Sequence, residues 1–165
     1  DGANRKWFGT NNGVFVQSAD GTEQLNHFTT DNSPLPSNII QSLTIDQQSG
    51  EVFIGTNEGI VSYLGEAVEG GVVNNAEITV FPNPVRPDYD GPIAIRGLAR
   101  DANVKITDVH GNLVFETNAL GGQAIWNGRD FNGRRANTGV YLVFSTAVRN
   151  PTNPDAAIAK ILFVN

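Results

Sequence analysis

The sequence predicts an all-β chain, a region of repeated small sheets followed by a β-sandwich, and three observations carry that prediction. A phrase is written twice, as KWFGTNNG at 6–13 and VFIGTNEG at 52–59, which sets Gly9 and Gly55 46 residues apart. A repeat of that period builds stacked or radially arranged units, and about four strands per unit suits a propeller blade better than any helical repeat. Apolar residues come in short runs broken by Asn-Gly, Asp-Gly and Gly-Gly, in a chain with 18 glycines and 8 prolines, the punctuation of hairpins. No segment keeps an i, i+3, i+4 apolar stripe long enough for a helix.

In the first half, Lys6–Thr10 and Val14–Ser18 flank Asn-Asn-Gly, where a type I′ turn is expected because Asn-Gly accepts positive φ. A turn at ADG leads into TEQLNHFTT. DNSPLPSN (31–38) is too rich in Pro and Ser to continue a central strand, so it is expected to cross between units. IIQSLTID then places Ile39, Leu43 and Ile45 on one face, and GEVFIGT with GIVSYLG forms a second hairpin. Both faces of these strands are largely apolar, as in a sheet held between similar sheets. Residues 65–76, GEAVEGGVVNNA, are small and flexible and read as a linker. Seven candidate strands follow: EITVFPNPV, PIAIRGL, NVKITDV, NLVFET, QAIWNG, GVYLVFSTAV and AAIAKILFV. Val104 and Ile106 face one way and Lys105 and Thr107 the other, the alternation of a sandwich sheet with one solvated face. DVHGNLV is expected to turn on His110-Gly111. The divisions are therefore 1–64, a linker at 65–76, and 77–165.

Composition removes several function classes. Net charge is −6, with 11 basic and 17 acidic residues, so nucleic acid is not an expected partner. Without cysteine there is neither a disulfide framework nor a thiolate metal site. No apolar run approaches the ~20 residues of a membrane span. The opening DGANRKWF carries no signal peptide and reads as the interior of a longer protein.

Residues 33–60, SPLPSNIIQSLTIDQQSGEVFIGTNEGI, resemble the repeat of the two-component-regulator propeller family. The matching positions are Leu35, Pro36, Ser37, Asn38, Asp46, Gly50, Gly55, Thr56 and Gly59; Trp7 to Phe28 corresponds to the later strands of a preceding copy. The second half resembles the C-terminal domain associated with type IX secretion in Bacteroidetes. That resemblance rests on FPNPV (81–85), VKITDVHGNLV (104–114), GGQAIWNGRDFNGRRANTGVYLV (121–143) and AKILFV (159–164). It implies an immunoglobulin-like sandwich behind the end of a β-propeller.

Candidate chemistry is sparse. His27 and His110 stand without any nucleophile motif, so no enzyme is predicted, and no cofactor. Asp88 and Asp90 fall short of the six to eight oxygens calcium takes; turn-forming aspartates are the simpler reading. Trp7, Phe8 and Phe53 are expected to pack between sheets, and Trp126 inside the sandwich. In NGRDFNGRRANTG (127–139), Arg129, Arg134 and Arg135 lie between two Asn-Gly corners. Guanidinium groups grip phosphate and carboxylate bidentately, so this loop is a candidate site for an anionic glycan or lipopolysaccharide. In the alternative, Arg129 pairs with Asp130 or another carboxylate and the other two are solvated. If the last strand lies at a sheet edge, its main-chain groups would be offered for strand addition; otherwise it is an ordinary paired strand that closes the domain.

The resemblances imply a non-enzymatic, extracytoplasmic component of the type IX secretion machinery, at the outer-membrane surface or in the periplasm, with other attachment-complex proteins as partners. Two alternatives stand beside it. One is a secreted cargo protein whose C-terminal domain is a sorting signal. The other is a periplasmic sensor propeller, which normally continues into a membrane helix.

Overall fold

A computed structural model describes residues 1–75, 77–147 and 156–164. The chain is all-β, without a helix among the described residues, and divides into two compact units, Asp1–Glu69 and Gly70–Asn165.

In the first unit, β1 (Lys6–Thr10), β2 (Gly13–Gln17) and β3 (Gln24–Phe28) form one antiparallel sheet in that order. A second comprises β4 (Ile40–Ile45), β5 (Glu51–Thr56) and β6 (Ile60–Leu64). The doubled phrase folds alike in both copies. Thr10 Oγ1 donates to the Gly13 carbonyl at 2.9 Å and accepts from Asn12 N at 3.0 Å. Thr56 Oγ1 donates to the Gly59 carbonyl at 2.9 Å and accepts from Glu58 N at 3.1 Å. The hydroxyl thus satisfies polar groups the turn strips from the ladder. It also corrects the turn expected here. Gly13 opens β2 at φ 94°, while Asn11 and Asn12 keep negative φ, so Asn-Gly is not the centre of a type I′ turn.

The two sheets share a core of Val14, Leu35, Val52 and Ile54, with Trp7, Phe28, Ile40, Leu43, Ile45 and Val61 against it. Leu35 shows that the connector at 31–38 also plugs this core. A register shift between Ile40 and Ser42 changes which isoleucine turns inward. A bulge advances the strand by one residue and swaps faces beyond it, so Ile40 joins Leu43 and Ile45 while Ile39 is exposed. Gly9 lets the sheets approach: a Cβ there would lie 2.6 Å from Ile40 Cγ2. The faces turned away from this core remain apolar, with Phe8 49% and Phe53 43% exposed beside Ile60 and Leu64.

The expected linker is structured by both units. Ala67 and Val68 are buried, Gly65 N donates to the Gly50 carbonyl, and Glu69 N donates to the Gln47 carbonyl at 2.7 Å, all within the first unit. In the second, Gly71 bridges Ala99, and buried Asn74 accepts from Ala99 N and Ser145 Oγ, both at 2.9 Å. The boundary between the units falls inside this stretch, between Glu69 and Gly70. Ala76 lies outside the described residues.

The second unit is a sandwich. One sheet runs β11-β8-β7, from β7 (Thr79–Phe81), β8 (Ile93–Arg96) and β11 (Gln123–Trp126). The other runs β10-β9-β12-β13, from β9 (Asn103–Thr107), β10 (Leu113–Asn118), β12 (Gly139–Thr146) and β13 (Ala156–Phe163). Their inner faces enclose Ile93, Ile95, Val104, Ile106, Val143, Ile161 and Phe163. Trp126 is fully buried against Tyr141 and Phe163, with ring centroids 5.6 and 5.2 Å away. Its indole N–H, which burial would otherwise strand, donates to the Arg129 carbonyl at 2.8 Å.

The Gly9 contact can be tested. Gly9→Val is expected to lower stability to chemical denaturation by about 1–3 kcal/mol through overpacking. Gly139→Ala, whose added methyl meets open space, is expected to be neutral.

Candidate functional site

The arginine loop joins β11 to β12 and is built on an Asp-x-x-Gly turn. Gly133 N donates to the Asp130 carbonyl at 2.9 Å with φ 76°, and Asp130 N donates to the Arg134 carbonyl at 2.8 Å. Asp130 Oδ1 accepts from the Asn132 and Arg134 amides, both at 2.9 Å. These bonds favour the ionised carboxylate, and the Arg134 amide does most to hold its pKa below the usual aspartate range. The same device recurs at Asp108, where Asn112 is the main partner, and at Asp46, where Ser49 is. At Asp20, hydrogen bonds led by that of Ser18 bring the pKa to about 2.

The structure separates the three arginines by role. Arg135 Nη1 donates to the Tyr89 carbonyl and to Asp90 Oδ1, each at 3.0 Å, and Nη2 to the Arg86 carbonyl at 2.9 Å. Its guanidinium carbon also lies 5.8 Å from the Phe163 ring centroid, within cation–π range. Arg135 therefore clamps the 127–138 loop to the segment 86–90, so the solvated alternative does not hold for it. Arg129 Nη1 donates to the Gly133 carbonyl at 3.1 Å, and Nη2 lies 3.7 Å from Asp90 Oδ1. Arg134 reaches its own turn, Nε to Asp130 Oδ2 at 3.2 Å, and its side chain is 76% exposed. Arg129 and Arg135 meet at Asp90; Arg134 stands apart with Asp130.

Sequence reading missed Asp90 as their counter-ion. The pair lies 45 residues apart along the chain, and nothing in RPDYDG announces which cation it faces. Asp88 is exposed. His27 Nε2 lies 2.7 Å from the Asn12 carbonyl and the ring stacks on Phe15 at 3.9 Å, while His110 sits on an exposed corner 3.9 Å from Asp108. Trp7 packs against the first unit's core as expected, but Phe8 and Phe53 lie on outward faces, because consecutive strand residues point to opposite sides.

Over its whole length the chain is similar to PorZ of Porphyromonas gingivalis, described as an essential bacterial surface component of the type-IX secretion system. The two are 32% identical at a TM-score of 0.64, and the match covers 100% of this chain and 22% of that one. The chain thus spans under a quarter of PorZ. Dimeric latent PorU of the same organism is 21% identical at a TM-score of 0.41, over 69% of this chain and 12% of that one. Domains d3–d4 of rat CD45 are 14% identical at 0.35, over 94% and 93%. At those scores neither carries weight. No family model and no curated protein matches the chain.

The division of labour among the arginines predicts that Arg135→Ala destabilises the protein by about 1–3 kcal/mol, since carbonyls and Asp90 lose a donor. Arg134→Ala should stay within about 0.5 kcal/mol, as exposed pairs contribute little. Acid titration supplies a second test. An unfolded aspartate titrates near ~3.9 and the native turn carboxylates titrate lower, so the unfolded state binds more protons as pH falls. Their stabilisation is present above about pH 4 and is lost as pH drops through the native values. Denaturation midpoints should therefore fall from about pH 5 towards 2, and Asp108→Asn with Asp130→Asn should flatten that slope.

Proposed function

We propose that this chain is part of a non-enzymatic surface component of the type IX secretion machinery, with the second unit acting in sorting and attachment. The observation that carries this reading is the PorZ likeness, which runs through both units at 32% identity and a TM-score of 0.64. In this reading the partners are other proteins of the same machinery and the location is extracytoplasmic.

The first unit is taken as two neighbouring blades of a β-propeller. Aligning the doubled phrase sets Trp7 on Phe53 and Gly9 on Gly55. Trp7 packs towards the second sheet and Gly9 meets Ile40 there, whereas Phe53 is turned outward. The outward face of β5 thus repeats the face that β1 already buries, and a further sheet of the same kind would fit it. Such open-ended, head-to-tail repetition is how blades succeed one another.

Anionic lipopolysaccharide is a proposed ligand of the Arg129, Arg134 and Arg135 loop. Support is strongest at Arg134, which projects from a turn held by Asp130 and leaves most of its side chain to solvent.

Two measurements test these statements. A machinery component should keep residues 70–165 at the cell surface, so the intact mass of surface-exposed protein should include the second unit. A mature form ending within 65–76 would instead make the chain a cargo protein and the sandwich its removable signal. Arg134→Glu should weaken binding to lipopolysaccharide micelles without loss of fold; unchanged binding would remove this loop from the proposal.

A further inference from the structure

The last strand, β13, is an edge strand paired on one side with β12. Leu162 fixes its phase. Leu162 N donates to Asn83 Oδ1 at 2.9 Å and the Leu162 carbonyl accepts from Val85 N at 2.7 Å, so both groups point away from β12. In a strand the main-chain groups of alternate residues point to the same side. Even-numbered residues of β13 therefore offer their peptide groups to the open edge, and odd-numbered ones bond to β12.

The segment 83–85 covers part of that edge. Asn83 Nδ2 donates to the Lys160 carbonyl at 2.9 Å, so its amide imitates one peptide of a neighbouring strand, and Val164 N donates to the Val85 carbonyl at 2.9 Å. Among the described residues the coverage stops at Lys160. Beyond it the Lys160 N–H and both main-chain groups of Ile158 face outward, and the Ile158 side chain is 61% exposed. Unpaired edge groups of this kind are templates for another strand.

The adjoining sheet surface specifies what such a strand should carry. Ile158 pairs across the ladder with Phe144, Lys160 with Leu142, and Leu162 with Val140, placing a lysine between apolar neighbours. Lys105, across the sheet from Phe144, is 3.8 Å from Glu116. Lys160 has no carboxylate within ion-pair distance among the described residues. A second copy of this edge would bring the same lysine and no acid.

We propose that the open part of β13, at Ile158 and Lys160, is a β-augmentation site for an extended segment of another polypeptide, whose solvent side sets an apolar residue beside Ile158 and an acidic one beside Lys160. Main-chain hydrogen bonds would hold the segment and the alternate side chains would select it.

The test uses the whole chain and a fluorescein-labelled peptide, Thr-Val-Thr-Glu-Thr-Val-Thr, followed by anisotropy. Saturable binding is expected. Ile158→Pro removes an outward N–H without touching the β12 ladder, a substitution edge strands accept, and should weaken binding about tenfold. Lys160→Glu should lose the peptide and bind its Glu-to-Lys counterpart instead, which keeps the test decisive should the proline variant unfold. Absence of saturable binding, or equal affinity in wild type and both variants, overturns the proposal. A dimer in sedimentation that Ile158→Pro abolishes also overturns it, assigning the edge to a second copy.

Discussion

Strand register is the constraint on which both units depend. A side chain's face alternates with every residue, so a slip of one position would turn an entire core outward. Register here is set at the corners. Thr10 and Thr56 close the two copies of the repeated turn through their hydroxyls, and carboxylates do the same at Asp46, Asp108 and Asp130. Each corner supplies the polar partners that a tight turn removes from the ladder, and a glycine at positive φ completes several of them. With the corners fixed, Val52 and Ile54 must face the first core, and Val104 and Ile106 the second.

The same constraint explains the unequal fate of the aromatic residues. Trp7 and Phe8 are adjacent, so one packs inward and the other is left exposed. Phe53 lies outward because its neighbours Val52 and Ile54 are inside. The first unit is a stack of two sheets with an apolar row on its outer surfaces, whereas the second closes on itself: its two inner faces meet at Trp126, Tyr141 and Phe163.

Around that closed sandwich the polar groups are mostly engaged in holding loops. Arg135 ties its loop to segment 86–90 through two carbonyls and Asp90, and Asn83 lends a side-chain amide where a strand would otherwise supply a peptide. Charge alone would nominate the loop for anion binding; geometry engages Arg129 and Arg135 at Asp90 and leaves the Arg134 side chain 76% exposed.

The sequence by itself determined the local features: all-β character, the order of the thirteen strands among the described residues, the recurrence of one phrase at two corners and the sandwich burial of Trp126. These follow from apolar alternation and turn residues, which act over a few positions. Tertiary structure decided what depends on distant partners. The bulge after Ile40, the ordering of 65–75, the placing of Asp90 between Arg129 and Arg135, and the covering of Lys160 and Leu162 by Asn83 each join segments whose separation along the chain leaves no periodic trace. Periodicity records which way a side chain points, but not which group waits there.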